Sequence, residues 1–316
     1  MAEKDRSGII ESLRWNLGEI YGLLEEPDLL EVMLNPDGSL WVERFGRSME
    51  RIGAMPEERS RVIISQVASW LDTLATVEKP VVEGELPLHG ERFEGLLPPL
   101  VSKPSFTIRL KPRRIFTLEE YVEASIMPAR VPEILVQALR ERRNILVVGG
   151  TGSGKTTLIN AIIHKLSELL PDDRLAIIED TAELQCSSPN VVTLHTSEYV
   201  GMSGLLRATM RLRPDRILVG EVRGPEALTL LDSWNTGHPG GMATVHANSA
   251  YGGLIRLEQL IAQATLAPMQ ALISEAVNLV LFIQRRPEGR RVTQAILVHG
   301  YDHERKLYKT EDLYAL

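Results

Sequence analysis

The sequence predicts an α/β protein, with a helix-covered parallel sheet following a smaller α+β amino-terminal domain. Three observations predict it. From residue 131 on, short uninterrupted apolar runs alternate with helical segments. A glycine-rich loop closes the first of those runs. A stretch studded with prolines separates this half from an earlier one with mixed strand and helix signals.

The amino-terminal elements come first. Ile9, Ile10, Leu13, Leu17 and Ile20 recur at helical spacing and read as a buried or interface helix rather than a membrane segment. Residues 28–33 lead into Asn35-Pro36-Asp37-Gly38, a turn cluster. Residues 39–44 alternate, Leu40 and Val42 against Trp41 and Glu43, as a half-buried strand does. Residues 57–76 predict a helix with Val62, Ile63, Val67, Trp70, Leu71 and Leu74 on one stripe. Residues 92–97 and 105–110 read as further strands. Pro98, Pro99, Pro104, Pro112 and Pro128 then break up long helices, with Lys103, Arg109, Lys111, Arg113 and Arg114 among them. The predicted division is an amino-terminal domain over 1–111, a linker over 112–130 and a second domain over 131–316.

In that second domain, residues 131–142 predict a helix and 144–148 a strand. Residues 157–170 predict an amphipathic helix carrying Leu158, Ile159, Ile162, Ile163 and Leu166. Residues 175–178, 191–194, 216–219 and 242–245 are short apolar runs. Continuous apolar strands between helices imply a parallel sheet covered on both faces. Ligands of such open sheets bind beyond the carboxyl ends of the strands.

The strand over 144–148 runs into Gly149-Gly150-Thr151-Gly152-Ser153-Gly154-Lys155-Thr156, with Thr157 opening the helix. This is the strand–GxxxxGK[ST]–helix pattern of a P-loop NTPase, which makes the second domain a RecA-like core. The chemistry requires these residue types. Glycines let backbone N–H groups turn toward a polyphosphate with no Cβ in the way. The helix aims its positive end at the same spot. Lys155 reaches the β- and γ-phosphates, and the Thr156 hydroxyl can ligate Mg²⁺. ATP and Mg²⁺ are therefore the expected cofactors.

Two other strands end in acids. Residues 176–178 run into Glu179 and Asp180, with Glu183 just beyond, and residues 217–220 run into Glu221. A carboxylate beside the phosphate loop can orient water or hold hydrated Mg²⁺. Glu221 takes the base or Walker B role in this reading; Glu179 and Asp180 come next. Isolated acids at strand ends are more often plain solvated charges. Residues Thr236-Gly237-His238-Pro239-Gly240-Gly241 enter the run over 242–245, which ends at His246. His246 thus lies on the same face. Taken alone, such a histidine is as readily a structural residue.

The bulk numbers exclude several classes. A net charge of −7 argues against a general nucleic-acid coat. One cysteine, Cys186, allows neither an internal disulfide nor a cysteine cluster for zinc, and fits a reducing, cytoplasmic compartment. No signal-peptide core and no membrane-length apolar run is expected.

The segments GGTGSGKTT, IIEDTAEL, LRATMRLRPDRILVGEVRGPEA and GHPGGMATVHANSA occur in this order. They resemble the Walker A, Asp-box, Walker B and His-box motifs of the secretion (traffic) ATPase superfamily. LLEEPDLLEVMLNPDGSLWVERFG and GERFEGLLPPLVSKPSFTIRLKP resemble its amino-terminal half. The likeness is strongest to conjugative-transfer ATPases of type IV secretion, and it covers nearly the whole chain. The resemblance implies six-membered rings of two-domain subunits with nucleotide between the domains. It implies phosphate and Mg²⁺ binding by Lys155 and Thr156, with Glu179 and Glu221 also toward the metal. Glu221 becomes the Walker B glutamate, Glu179 the Asp-box acid, and His246 the His-box residue near the γ-phosphate. Arg92 and Arg109 match arginines that reach the phosphates from the amino-terminal domain. The implied partners are other copies of the chain and inner-membrane components of a secretion or conjugation apparatus. Membrane association would be peripheral, at the cytoplasmic face, and no stable nucleic-acid binding is expected. The chain departs from generic P-loop proteins in lacking the Walker B aspartate, and from some type II secretion members in lacking their four-cysteine zinc element. A RecA-like nucleic-acid motor and a non-catalytic nucleotide-binding scaffold are the rival readings. A basic–aromatic strand-binding groove is not evident for the first. The acids and paired arginines speak against the second.

Overall fold

The computed structural model describes residues 7–110, 115–197 and 199–316. The chain divides into two compact units, Met1–Arg114 and Ile115–Leu316. Lys111, and Pro112, Arg113 and Arg114 of the predicted linker, lie outside the described residues. From Ile115 on, the rest of that stretch belongs to the second unit and includes a helix, described below.

The first unit is an antiparallel six-stranded sheet backed by helices. Its elements are α1 (Ser7–Leu17), α2 (Glu19–Leu23), β1 (Leu29–Leu34), β2 (Ser39–Arg44), β3 (Glu50–Ala54), α3 (Glu57–Trp70), β4 (Val81–Glu85), β5 (Arg92–Leu96) and β6 (Ser105–Arg109). The strand order is β3-β2-β1-β6-β5-β4. Leu13 and Leu17 of α1 and Ile20 of α2 are buried in this unit's core with Ile63, Ile64 and Val67 of α3. The early apolar helix is therefore a core helix. Helix α3 ends six residues before the predicted limit, because Asp72 adopts a left-handed φ of 53°. Its buried stripe is Ser60, Ile63, Ile64, Val67 and Ala68, so Val62 and Leu74 of the predicted stripe point to solvent instead.

The second unit holds α4 (Leu118–Glu123), α5 (Arg130–Arg140), β7 (Ile145–Val148), α6 (Lys155–Leu169), β8 (Leu175–Glu179), β9 (Val191–His195), α7 (Met202–Thr209), β10 (Arg216–Val219), α8 (Glu226–Asn235), β11 (Met242–Val245), α9 (Ala250–Ile261), α10 (Gln270–Ala276), β12 (Leu279–Arg286), β13 (Gly289–Asp302) and β14 (Leu307–Ala315). The capping box of Thr117 and Glu120 starts α4. The sheet order is β14-β13-β12-β7-β11-β10-β8-β9. Pairing is parallel from β12 to β9, and β13 and β14 extend it as antiparallel strands. Every residue of β7, β10 and β11 is buried, as a doubly covered parallel sheet requires. One face packs Leu146, Val148, Val219, Val245 and Phe282 against α7–α10. Helix α6 contacts β7 and β11. In chain order, this is a RecA-like P-loop core that follows a smaller α+β domain.

Candidate functional site

Strand order assembles the site. β11 lies between β7 and β10, and β8 follows β10. Neighbouring strands are spaced by about 4.8 Å. The carboxyl ends therefore present the phosphate loop, His246, Glu221 and Glu179 as one row.

The loop enters from β7 and turns into α6. Gly154 has φ 97°, a left-handed conformation that strains any residue with a Cβ. Gly149 has a different constraint, since a Cβ there would lie 2.3 Å from the Ile283 carbonyl oxygen. Helix α6 begins at Lys155, two residues before the predicted start, so Lys155 and Thr156 lie in its first turn. Lys155 is only 7% exposed. Its Nζ donates to the carbonyls of Gly149 and Gly150 at 3.1 and 3.0 Å, and approaches His246 Nδ1 at 3.2 Å. Ser153 Oγ is buried without a hydrogen-bond partner. Left-handed glycines, a lysine drawn into the loop and an unsatisfied hydroxyl fit a polyphosphate.

His246 Nε2 lies 2.6 Å from Glu221 Oε1, a buried oxygen that accepts no hydrogen bond here. Glu221 Oε2 accepts from Arg223 Nη2 at 2.7 Å. Burial pushes the Glu221 pKa up. The Arg223 hydrogen bond and the neighbouring His246, Arg223 and Lys155 outweigh it and hold the carboxyl below its ordinary range. Burial, then the Lys155 charge, lowers the His246 pKa against the opposing pull of Glu221. His246 is therefore neutral at pH 7, and the lysine–imidazole–carboxylate row carries one positive and one negative end.

Glu179 is arranged differently. Its Oε1 accepts from the Glu183 amide at 3.0 Å and its Oε2 from the Leu184 amide at 2.9 Å. His195 Nε2 stands 3.4 Å from Oε1. Burial raises the Glu179 pKa in spite of these partners. Both oxygens are thus committed to shaping the loop after β8. Asn160 of α6 completes that loop, donating to the Glu183 carbonyl at 3.0 Å and accepting from the Gln185 amide at 2.9 Å. The acid that meets Thr156 is Glu183, whose Oε2 accepts from the Thr156 hydroxyl at 3.2 Å. Asp180 accepts from Thr196 Oγ1 at 2.9 Å and lies 3.8 Å from Arg223 Nη1. Asn160 and His195 stand outside the quoted motifs, and Arg223 stands inside GEVRGPEA without a role that spacing alone reveals. Among the described residues, no group of three or more His, Cys, Asp or Glu side chains could hold a metal unaided.

Arg92 and Arg109 belong to the first unit. They are direct cross-strand partners on β5 and β6. The same row across the sheet continues to Glu31 on one side and Glu85 on the other. The two arginines thus share one sheet face, flanked by acids.

No helix among the described residues is long and apolar enough to cross a membrane. The family model described as type II/IV secretion system protein matches residues 26–299. The conjugal transfer protein TrbB of Rhizobium radiobacter is 49% identical over 304 residues, covering 96% of this chain and 94% of that protein. The type IV secretion system protein PtlH of Bordetella pertussis is 31% identical, covering 87% and 91%. In structure, the ATPase DotB of Legionella pneumophila aligns with a TM-score of 0.62 at 17% identity, over 95% of this chain and 80% of that one, a likeness of fold. With its motif row built at the strand ends and its family model matched over most of its length, the chain belongs to the type II/IV secretion system protein family.

Proposed function

We propose that this protein hydrolyses ATP to ADP and phosphate as one subunit of a homo-hexameric ring serving conjugative transfer through a type IV secretion apparatus. The observation that carries the reading is the continuous row Lys155–His246–Glu221 at the mouth of the phosphate loop. The names of the relatives supply the setting. The ring would work peripherally at the cytoplasmic face of the inner membrane, with inner-membrane components of the apparatus as partners.

Lys155 exchanges the Gly149 and Gly150 carbonyls for the β- and γ-phosphates. Backbone amides of residues 150–157 surround the same oxygens. Glu221 stays ionised and orients water toward the γ-phosphorus through its unsatisfied oxygen, while Arg223 fixes the other. Its low pKa makes it an orienting group more than a strong proton acceptor. The water oxygen bonds to phosphorus, the bond to the ADP oxygen breaks, and the water proton leaves by way of Glu221. Neutral His246 keeps Lys155 and Glu221 in register. Mg²⁺ would be held by the Thr156 hydroxyl with Glu183 and Glu221 and would supply charge neutralisation on the phosphate oxygens; Glu179, through the Glu183 amide, sets the position of Glu183. Arg92 and Arg109 would add positive charge at the phosphates, the role that their match to the family's arginines implies.

The experiment is ATP turnover with Mg²⁺ at ring-forming concentrations. Lys155→Ala should abolish it, and turnover at the normal rate in that variant overturns the proposal. Replacing Arg92 and Arg109 together with alanine should cost about 10³-fold or more in turnover. Native mass measurement should show six copies with nucleotide.

A further inference from the structure

The hairpin of β12 and β13 stands against the phosphate loop. β12 runs parallel to β7, with Phe282 opposite Val148, which brings the Ile283 carbonyl under Gly149. One residue into β13, Arg290 crosses the loop. Its Nε donates to the Gly152 carbonyl at 3.2 Å. Its Cδ lies 2.9 Å from the position a Cβ would occupy on Gly154. The guanidinium therefore bonds the tip of the loop while the stem lies over its last glycine.

The direction of that bond matters. In a planar trans peptide, the carbonyl and the following N–H point opposite ways. With the Gly152 carbonyl turned to Arg290, the Ser153 N–H is turned away from it, where it donates to the Gly150 carbonyl at 3.3 Å. Gly150 is the residue whose carbonyl also takes Lys155. The Ser153 amide and the lysine thus converge on one point inside the loop, the place an anionic oxygen would take. Arg290 is itself braced. The amide of Val292, two residues on, donates to the Ile126 carbonyl at 2.7 Å and ties this start of β13 to the segment after α4.

We propose that Arg290 is a positioning residue for the nucleotide: by holding the Gly152 carbonyl on the outside of the loop, it keeps the next amide aimed at the phosphates. The inference rests on the reading of residues 149–156 as an ATP site. Lysine cannot replace it fully. A lysine carries the charge, but its ammonium lies beyond the point from which Nε donates sideways.

The test compares full-length wild type, Arg290→Met, Arg290→Lys and Lys155→Ala. Methionine keeps an aliphatic stem over Gly154 and removes the donors, so the hairpin is expected to fold. Melting temperature checks this, and the lysine variant serves if methionine unfolds the protein. Binding of a fluorescent ADP analogue with Mg²⁺ and steady-state ATP turnover are read together. Arg290→Met should weaken nucleotide binding and raise KM about tenfold, with kcat within about twofold. Arg290→Lys should fall between it and wild type. Unchanged binding and KM in Arg290→Met, with binding lost in Lys155→Ala, overturn the role of Arg290 and leave the ATP site standing. Full restoration by lysine overturns it in favour of simple charge attraction. Normal binding in Lys155→Ala removes the ATP site itself.

Discussion

The two edges of the parallel sheet handle buried charge in opposite ways. At the amino ends of the strands, Arg216 is wholly buried and every contact is closed. Its Nε bonds Asp173 at 2.6 Å, and its other nitrogens donate to the carbonyls of Gly240 and Leu139. Asp173 also accepts from Arg142 at 2.6 Å. Beside this pair, Asn144 takes the amides of Gly240 and Gly241 on its side-chain oxygen and donates to the Ala276 carbonyl. At the carboxyl ends, Lys155, His246 and Glu221 touch in sequence, yet Ser153 Oγ and Glu221 Oε1 remain unsatisfied. One edge is a finished network that fixes strand order. The other holds polar groups short of partners, which is what a site awaiting a charged substrate requires.

Crossed substitutions at the two edges sharpen this contrast. The largest effect is expected from Asp173→Ala, which strands a fully buried guanidinium. Stability should fall by about 3–5 kcal/mol, measured by denaturant unfolding. An unchanged midpoint would mean the amino edge is no anchor. Next comes Glu221→Gln at the other edge. Turnover should drop about a hundredfold while nucleotide binding and melting temperature hold. If stability fell as it does for Asp173→Ala, the two edges would not differ in kind. Smaller is Asn144→Ala, expected to cost about 1–3 kcal/mol of stability, because two amides and a carbonyl lose a buried partner, with KM for ATP unmoved.

The smallest concerns pH. The His246 pKa lies below its ordinary value of 6.5, so the folded protein holds the ring neutral where an unfolded chain would begin to protonate. The stability this group contributes is present above about 6.5 and is lost as pH falls through the lower folded value. Turnover should hold from pH 7 to about 6.5 and decline severalfold only below it, and His246→Gln should flatten that limb. A decline beginning above pH 7 would show the imidazole titrating higher than its surroundings allow.

The contrast also explains what the sequence reveals. The phosphate loop is legible because its glycines, lysine and threonine are contiguous, and the strand-end acids because each follows an apolar run. Which acid does what is not legible. Glu179 and Glu183 are separated only by the backbone amides that occupy Glu179, and amide direction leaves no trace in residue type. The motif around the two histidines reads as one unit but serves both edges. His238 Nδ1 lies 2.8 Å from the Pro214 carbonyl beside the closed network, whereas His246, eight residues on and past the four residues of β11, stands at the open one. Missed strands have physical reasons too. All of β3 is exposed, so it shows no alternation, and bulges at Ala295/Ile296 and Val298/Gly300 break the period of the β13–β14 pair. Arg290 was hidden because its partner lies 138 residues earlier.

The bond between Thr156 and Glu183 has one more consequence. A carboxylate already rests on the hydroxyl where the metal complex would dock, so a bare triphosphate meets like charge there. A triphosphate that arrives already chelated brings the cation that carboxylate attracts. On the proposed reading the pocket would select against unchelated nucleotide, and titrations in EDTA should show binding much weaker than in magnesium.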